Sequence, residues 1–164
     1  MLLAFYVAPI VSPARAGEAA VAAVGRRAPK FLLETPSGAD LTFRSYAGKP
    51  LVMNVFASWC PPCLAELPLI AASARRRAPA IAYLGVDAQE SSQTAATFAR
   101  RMRLPYPIAI DRGQFAASYG VVSLPVTIFV DAHGTIRAIQ HGALDPAALE
   151  RDLALIARAP KAGT

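Results

Sequence analysis

The sequence predicts an α/β domain: a central, mostly parallel sheet flanked by helices and completed by an antiparallel hairpin at its edge. Three observations carry that reading. Strand-like and helix-like runs alternate along most of the chain. Two of the strand runs, Leu51 to Ala57 and Ile81 to Val86, are almost continuously apolar, as in strands covered on both faces. Late in the chain, Val126 to Val130 and Thr135 to Gln140 flank Asp131-Ala132-His133-Gly134, a short connection with glycine in its turn.

The elements follow in order. The globular part is expected to begin near Val24-Gly25, after an alanine-rich linker over residues 17–23. Phe31 to Glu34 and Leu41 to Phe43 read as short strands about the turn signal Pro36-Ser37-Gly38. Ala47-Gly48-Lys49-Pro50 leads into the long central strand. A helix then runs from about Pro61 to Arg77, with proline suited to a first turn whose amide protons lack intrahelical partners. Pro68 falls inside this helix and is expected to kink it. After the second buried strand, Ser91 to Arg103 forms a helix with Phe98 and Met102 one turn apart. Ile108 to Ile110 is a short strand and Gln114 to Tyr119 a short helix. Beyond the hairpin, Asp145-Pro146 starts a last helix whose Leu149, Leu153 and Ile156 share a face. Residues 159–164 are a tail.

At 164 residues, with 54% hydrophobic and 17% charged side chains, the chain holds one domain with a full core and is not a disordered polypeptide. The net charge of +6 gathers largely in Arg75-Arg76-Arg77 and around Arg100, Arg101 and Arg103. Both clusters fall near expected helix C-termini, where the macrodipole favours cations. No aromatic stacking platform or recognition motif accompanies them, which argues against a nucleic-acid partner. At the N-terminus, Leu2 to Val11 is a ten-residue apolar run followed by Ala14-Arg15-Ala16, a small-x-small pattern. That length suits the core of a signal peptide and falls short of the ~20 residues that span a bilayer. Residues 1–16 are therefore expected to be a signal peptide or the remnant of an anchor, although no Lys or Arg precedes the apolar run. A buried strand is the alternative. The expected location is the periplasm, with the protein either soluble or tethered by its N-terminus.

Cys60 and Cys63, in Trp59-Cys60-Pro61-Pro62-Cys63, are the only cysteines. They stand where the central strand ends and a helix begins, and a helix N-terminus makes a thiol reactive. Ligand sites of parallel sheets lie at such carboxyl ends. As a mere staple the pair is poor: so short a loop contributes about 2 kcal/mol, against ~4.7 for a 100-residue loop. As a zinc site it lacks partners, since His133 and His141 lie eight residues apart, outside the usual finger spacing. The lone histidines read as surface turn residues. The residues point to dithiol–disulfide exchange, with the disulfide itself the redox group and no further cofactor or metal.

At this point the chain resembles exported thioredoxin-like thiol:disulfide oxidoreductases of the TlpA and ResA type. The resemblance rests on Val24-Gly25 through Ala28-Pro29 with Phe31, and on Gly48-Lys49-Pro50 leading into Asn54-Val55-Phe56-Ala57-Ser58-Trp59-Cys60-Pro61-Pro62-Cys63. Glu66-Leu67-Pro68, Val121 through Asp131 and Gly134 extend it over roughly residues 24 to 158. It implies a thioredoxin fold with an extra αβ unit, here the helix and strand between Ser91 and Ile110. One departure matters. Plain thioredoxins carry a buried acid six residues before the first active-site cysteine, and here that position is Asn54.

The resemblance also implies roles. Cys60 is the attacking nucleophile and Cys63, more buried, resolves the mixed disulfide. A thiol of pKa ~8.5 is only about 3% thiolate at pH 7; lowering it to ~7 takes about 2 kcal/mol, within reach of a helix N-terminus. Glu66, one turn beyond Cys63, is the candidate proton carrier, or else an ordinary solvated glutamate. Pro61 and Pro62 remove two amide protons and so affect the potential. Pro125 is expected to be cis and to face the dithiol, leaving Leu124 to pair with an extended client segment. Trp59 either shapes this docking surface or is plain core.

The partners implied are cysteine-containing client proteins and a membrane electron donor, with the protein acting as a monomer. Clients of similar proteins are the haem-attachment cysteines of cytochromes c and the cysteines of copper-centre assembly proteins. An oxidant or isomerase of the same fold is one alternative. A Cu(I)-binding chaperone is another, although no Met-His cluster stands near the dithiol. A peroxiredoxin would need a threonine and a proline upstream of its cysteine; Phe56 and Met53 stand four and seven residues before Cys60 instead.

Overall fold

The computed structural model describes residues 21–157. The expected signal or anchor over residues 1–16, most of the linker and the tail lie outside the described residues. Strands β1 (Leu32–Glu34) and β2 (Asp40–Thr42) are followed by a 3-10 turn over Phe43–Tyr46. The central strand β3 (Leu51–Phe56) leads into helix α1 (Pro61–Arg77), then β4 (Ala82–Ala88) and α2 (Ser92–Met102). Next come β5 (Ile108–Asp111) and α3 (Gln114–Tyr119), then β6 (Val126–Val130), β7 (Ile136–His141) and α4 (Pro146–Ala157).

The described strands form one seven-stranded sheet in the order β2-β1-β5-β4-β3-β6-β7. The sheet is mixed, but it is not mostly parallel. Only β3 with β4 and β4 with β5 run parallel, while the other four neighbouring pairs are antiparallel. The three-strand parallel centre is made by the crossovers through α1 and α2, and each edge is closed by a hairpin.

Every residue of β3 is buried, which is why its sequence is almost wholly apolar. Its alternation sorts the core. Leu51, Met53 and Val55 pack on the side of α3, with Phe115, Tyr119 and the incoming Phe31. Val52 faces Ile70, Ala74, Leu149 and Leu153 of α1 and α4, and Phe56 faces Ala95 and Phe98 of α2. At Gly85, opposite Asn54 in the parallel ladder, an added Cβ would meet Ile108 Cγ2 at 2.5 Å and Phe56 Cε1 at 2.9 Å. Glycine is required there by close approach.

Helix ends follow their local chemistry. The Asp145 carboxylate accepts the Ala148 amide at 2.7 Å, and Ser91 Oγ accepts that of Thr94 at 3.1 Å. The arginine clusters occupy the last turns of α1 and α2. α1 runs unbroken past Pro68. His133 lies exposed in the β6–β7 turn, and His141 ends β7, also exposed. Among the described residues no helix is long and apolar enough to cross a membrane.

Candidate active site

β3 delivers the chain to the carboxyl edge of the parallel centre, where a tight turn closed by the Cys60 amide on the Ala57 carbonyl (3.2 Å) precedes α1. Cys60 is the N-cap of α1, with Pro61 and Pro62 filling its first two positions. Cys60 and Cys63 form a disulfide. Cys60 retains 4% exposure and Cys63 none, so the cleft offers only the first sulfur to an incoming group.

The two prolines have a direct consequence. A helix N-terminus normally turns several free amide protons towards a group at its cap. Here the first two are absent, and the donor that reaches Cys60 Sγ is the amide of Cys63, at 3.3 Å. The next amide, Leu64, is engaged by the Cys60 carbonyl at 3.1 Å.

Glu66 is buried, at 2% exposure, which excludes the solvated-glutamate reading. Its Oε1 accepts from the Asn54 side-chain amide at 2.7 Å and its Oε2 from the Leu144 backbone amide at 2.7 Å. Asn54 donates also to Thr127 Oγ1 at 2.9 Å. Burial pushes the Glu66 carboxyl above its ordinary range, and the Leu144 and Asn54 hydrogen bonds only partly offset that. Asn54 thus holds the acid one helical turn beyond Cys63, rather than replacing it.

Opposite Cys60 opens a concavity of about 630 Å³ walled by Trp59, Pro61, Val122, Leu124, Ala88 at the end of β4 and Gln89 in the β4–α2 connection. Trp59 is 68% exposed and Val122 92% exposed, so Trp59 is not core. The Leu124–Pro125 peptide bond is cis. Pro125 is itself buried, and Leu124 is the residue of that pair that lines the cleft. Phe56 and Met53, where a peroxiredoxin would need a threonine and a proline, are buried apolar side chains.

Three neighbours escaped the sequence reading. Ser58 gives both its amide and its hydroxyl to the Glu90 carboxylate, at 2.7 and 2.6 Å. The Glu90 amide in turn reaches Asp87 Oδ1 at 3.2 Å. Asp87 is fully buried, and burial, then the charge of Glu90, pushes its carboxyl up to about 7. The available signal was a carboxylate directly following a buried parallel strand, at the edge where sites form.

The family model for AhpC/TSA matches residues 24–139, which span β1 through most of β7 and include both cysteines. The chain belongs to the AhpC/TSA family. It is 32% identical over 147 residues to the thiol-disulfide oxidoreductase ResA of Halalkalibacterium halodurans, covering 88% of this chain and 79% of the relative. Among solved structures, a putative thiol:disulfide interchange protein DsbE from Chlorobium tepidum superposes with a TM-score of 0.76 at 24% identity, over 84% of this chain and 99% of that one. A secreted Mycobacterium tuberculosis disulfide oxidoreductase does so with a TM-score of 0.68 at 28% identity, over 76% and 94%. The fold is that of thioredoxin with the extra αβ unit. The enzyme is a thiol:disulfide oxidoreductase of the ResA-like, thioredoxin-family type, and its substrates are cysteine-containing.

Proposed function

We propose that the enzyme works in the periplasm as a reductant of specific client disulfides. One observation carries the direction: Cys60 Sγ receives a single amide donor, because the first two helical positions are prolines. A thiolate poorly stabilised in the reduced state makes reduction of the couple less favourable, and the dithiol correspondingly more reducing. The buried Glu66 carboxylate acts in the same sense by opposing a thiolate at Cys63.

The Cys60 thiolate attacks a client disulfide, forming a mixed disulfide and releasing one client thiolate, which takes up a proton. The Cys63 thiol gives its proton to Glu66 and attacks Cys60 Sγ, and the second client sulfur leaves as a thiolate that then takes up a proton. Two electrons pass to the client, and the Cys60–Cys63 disulfide remains. Trp59 and Leu124 flank the cleft in which an extended client segment lies, and cis-Pro125 orients the Leu124 backbone towards it. The clients are haem-attachment cysteines of cytochromes c or cysteines of copper-centre assembly proteins, a reading that comes from the family resemblance alone. Export is supported by the apolar N-terminal run and by the secreted relative. A reductant in an oxidising compartment needs electrons from a membrane donor.

The test is a redox titration of the couple against glutathione or dithiothreitol, followed by thiol alkylation. A potential near or below the ~−270 mV of thioredoxin supports a reductant; one approaching the ~−120 mV of a strong oxidant reverses the assignment.

A further inference from the structure

The connection that leads from β4 into the extra αβ unit meets the redox loop with polar groups. β4 ends at Ala88 and Ser91 caps α2, so only Gln89 and Glu90 connect the two elements. Gln89 takes a left-handed backbone, with φ of 63°, and its amide donates to the Asp111 carbonyl at 3.1 Å. A glutamine in that region is strained, and strain of this kind persists where the surroundings fix it. It turns Glu90 under the loop that carries the cysteines.

There the carboxylate binds Ser58 twice, through amide and hydroxyl, in a two-point arrangement of short charge-assisted bonds. Ser58 is two residues from Cys60, and Trp59 lies between them. The other acids of the neighbourhood are occupied elsewhere. Asp111 accepts the amides of Gly113, Phe115 and Ala116, and Glu66 is held by Asn54 and Leu144. Neither α1 nor α2 places an acid in its first turn. Asp87, behind Glu90, is the one further carboxyl in contact, and burial keeps it largely protonated below neutral pH.

We propose that Glu90 is a positioning residue for the Cys60–Cys63 couple: it fixes the Ser58–Trp59 turn and sets a negative charge beside Cys60 that opposes its thiolate. The connection into the extra unit is then part of the redox machinery, not merely a wall of the cleft. The direction of its effect deepens the reductant reading above, but the shift it causes is measured against the wild type and stands apart from the absolute potential.

The experiment compares E90Q and S58A with wild type in three readouts: the glutathione equilibrium of the couple, the pH dependence of Cys60 alkylation, and the rate of client-peptide disulfide reduction. E90Q removes the charge. It is expected to move the equilibrium about tenfold towards the dithiol, which is about 30 mV for a two-electron couple, and to lower the pH at which Cys60 becomes reactive. S58A keeps the charge and removes one anchor, so it is expected to leave equilibrium and titration within about threefold and to slow reduction by about threefold or more. A lowered melting temperature with unchanged equilibrium and titration in E90Q is what a structural contact alone gives, and overturns the proposal. If E90Q does not fold, S58A decides, and a wild-type reduction rate overturns it. A strongly oxidising wild-type potential refutes the reductant reading while leaving the E90Q difference to test this one.

Discussion

Replacing Asp87 with asparagine should stabilise the protein at alkaline pH and flatten its stability between about pH 4 and 7. Asp87 is fully buried; one carboxylate oxygen accepts the Glu90 amide, and the other has no hydrogen-bond partner. Its carboxyl is raised from 3.8 to about 7, first by desolvation and then by the Glu90 charge. The unfolded chain keeps the ordinary value, so between the two values the folded state holds a proton that the unfolded state has lost. This contribution is complete below about pH 4, declines as pH rises, and is gone above about pH 7. At 1.36 kcal/mol per pH unit, the decline amounts to about 4 kcal/mol. It belongs to Asp87 and Glu90 as a titrating pair. Asparagine keeps an acceptor for the Glu90 amide and has no such proton to lose. The assay is urea unfolding of the oxidised protein, whose cysteines do not titrate, at intervals from pH 4 to 8.5. The difference in unfolding free energy should grow with pH by about 4 kcal/mol in favour of D87N. Parallel curves for the two proteins would refute the reasoning, because they would mean that Asp87 is ionised at no special cost.

Other outcomes follow from the same geometry. Glu66→Gln removes the ionisable group beyond Cys63 and should change the pH profile of thiol reactivity; an unaltered profile sinks its proton-carrying role. Cys63→Ser should accumulate a mixed disulfide with a client peptide on non-reducing gels, and Cys60→Ser should not; the reverse pattern would exchange their roles. Trp59→Ala, at a side chain 68% exposed, should leave the melting temperature almost unchanged and slow client reduction several-fold. Loss of stability comparable to a core truncation would return Trp59 to the core. Gly85→Ala places a methyl 2.5 Å from Ile108 Cγ2 and should cost about 1–3 kcal/mol in denaturant unfolding; no loss would mean that β4 and β5 separate freely.

What the sequence made legible, and what it hid, divides along physical lines. β3 and α1 were legible because each is governed by local or face-wide rules: continuous burial in one, proline at the start and arginine at the end in the other. Strand direction was not. An apolar run looks the same whichever way it is paired, so β6, which lies antiparallel to β3, left no mark of its orientation. The fourth helix and its aspartate cap were readable, yet nothing announced that Leu144, 78 residues from Glu66, would supply an amide to it. Asp87 was lost for a related reason. A charge interrupts the apolar pattern, so the strand read from the sequence stops at Val86, while the ladder continues through Asp87 opposite Ile110 and Ala88 opposite Asp111. Trp59 had equal claims as core and as surface until its exposure decided.

The acids around the dithiol are arranged unequally, and that bears on how the two sulfurs divide their work. Glu66 stands one turn beyond Cys63, buried, and tethered to β3 by Asn54 and to the start of α4 by Leu144. Glu90 is linked to Cys60 through two residues of backbone and is half-buried. A carboxyl whose proton affinity is raised by burial can take a proton from a neighbouring thiol when that thiol must act, and return it afterwards. That suits Cys63, which has no exposure to water and needs an internal base to attack the mixed disulfide. Cys60 keeps 4% exposure and can exchange its proton with water, so Glu90, bound to Ser58 two residues away, is not needed as its base. The remaining influence of Glu90 is its charge. On these assignments Glu66 governs chiefly the rate of resolution, beyond its own contribution to the potential, and Glu90 chiefly the position of equilibrium. The variants should therefore separate: Glu66→Gln should alter the release of client from the mixed disulfide more than the equilibrium with glutathione, and E90Q the reverse. Equal effects of both substitutions on both quantities would show that the acids act as one diffuse negative field, and the division of labour would fail.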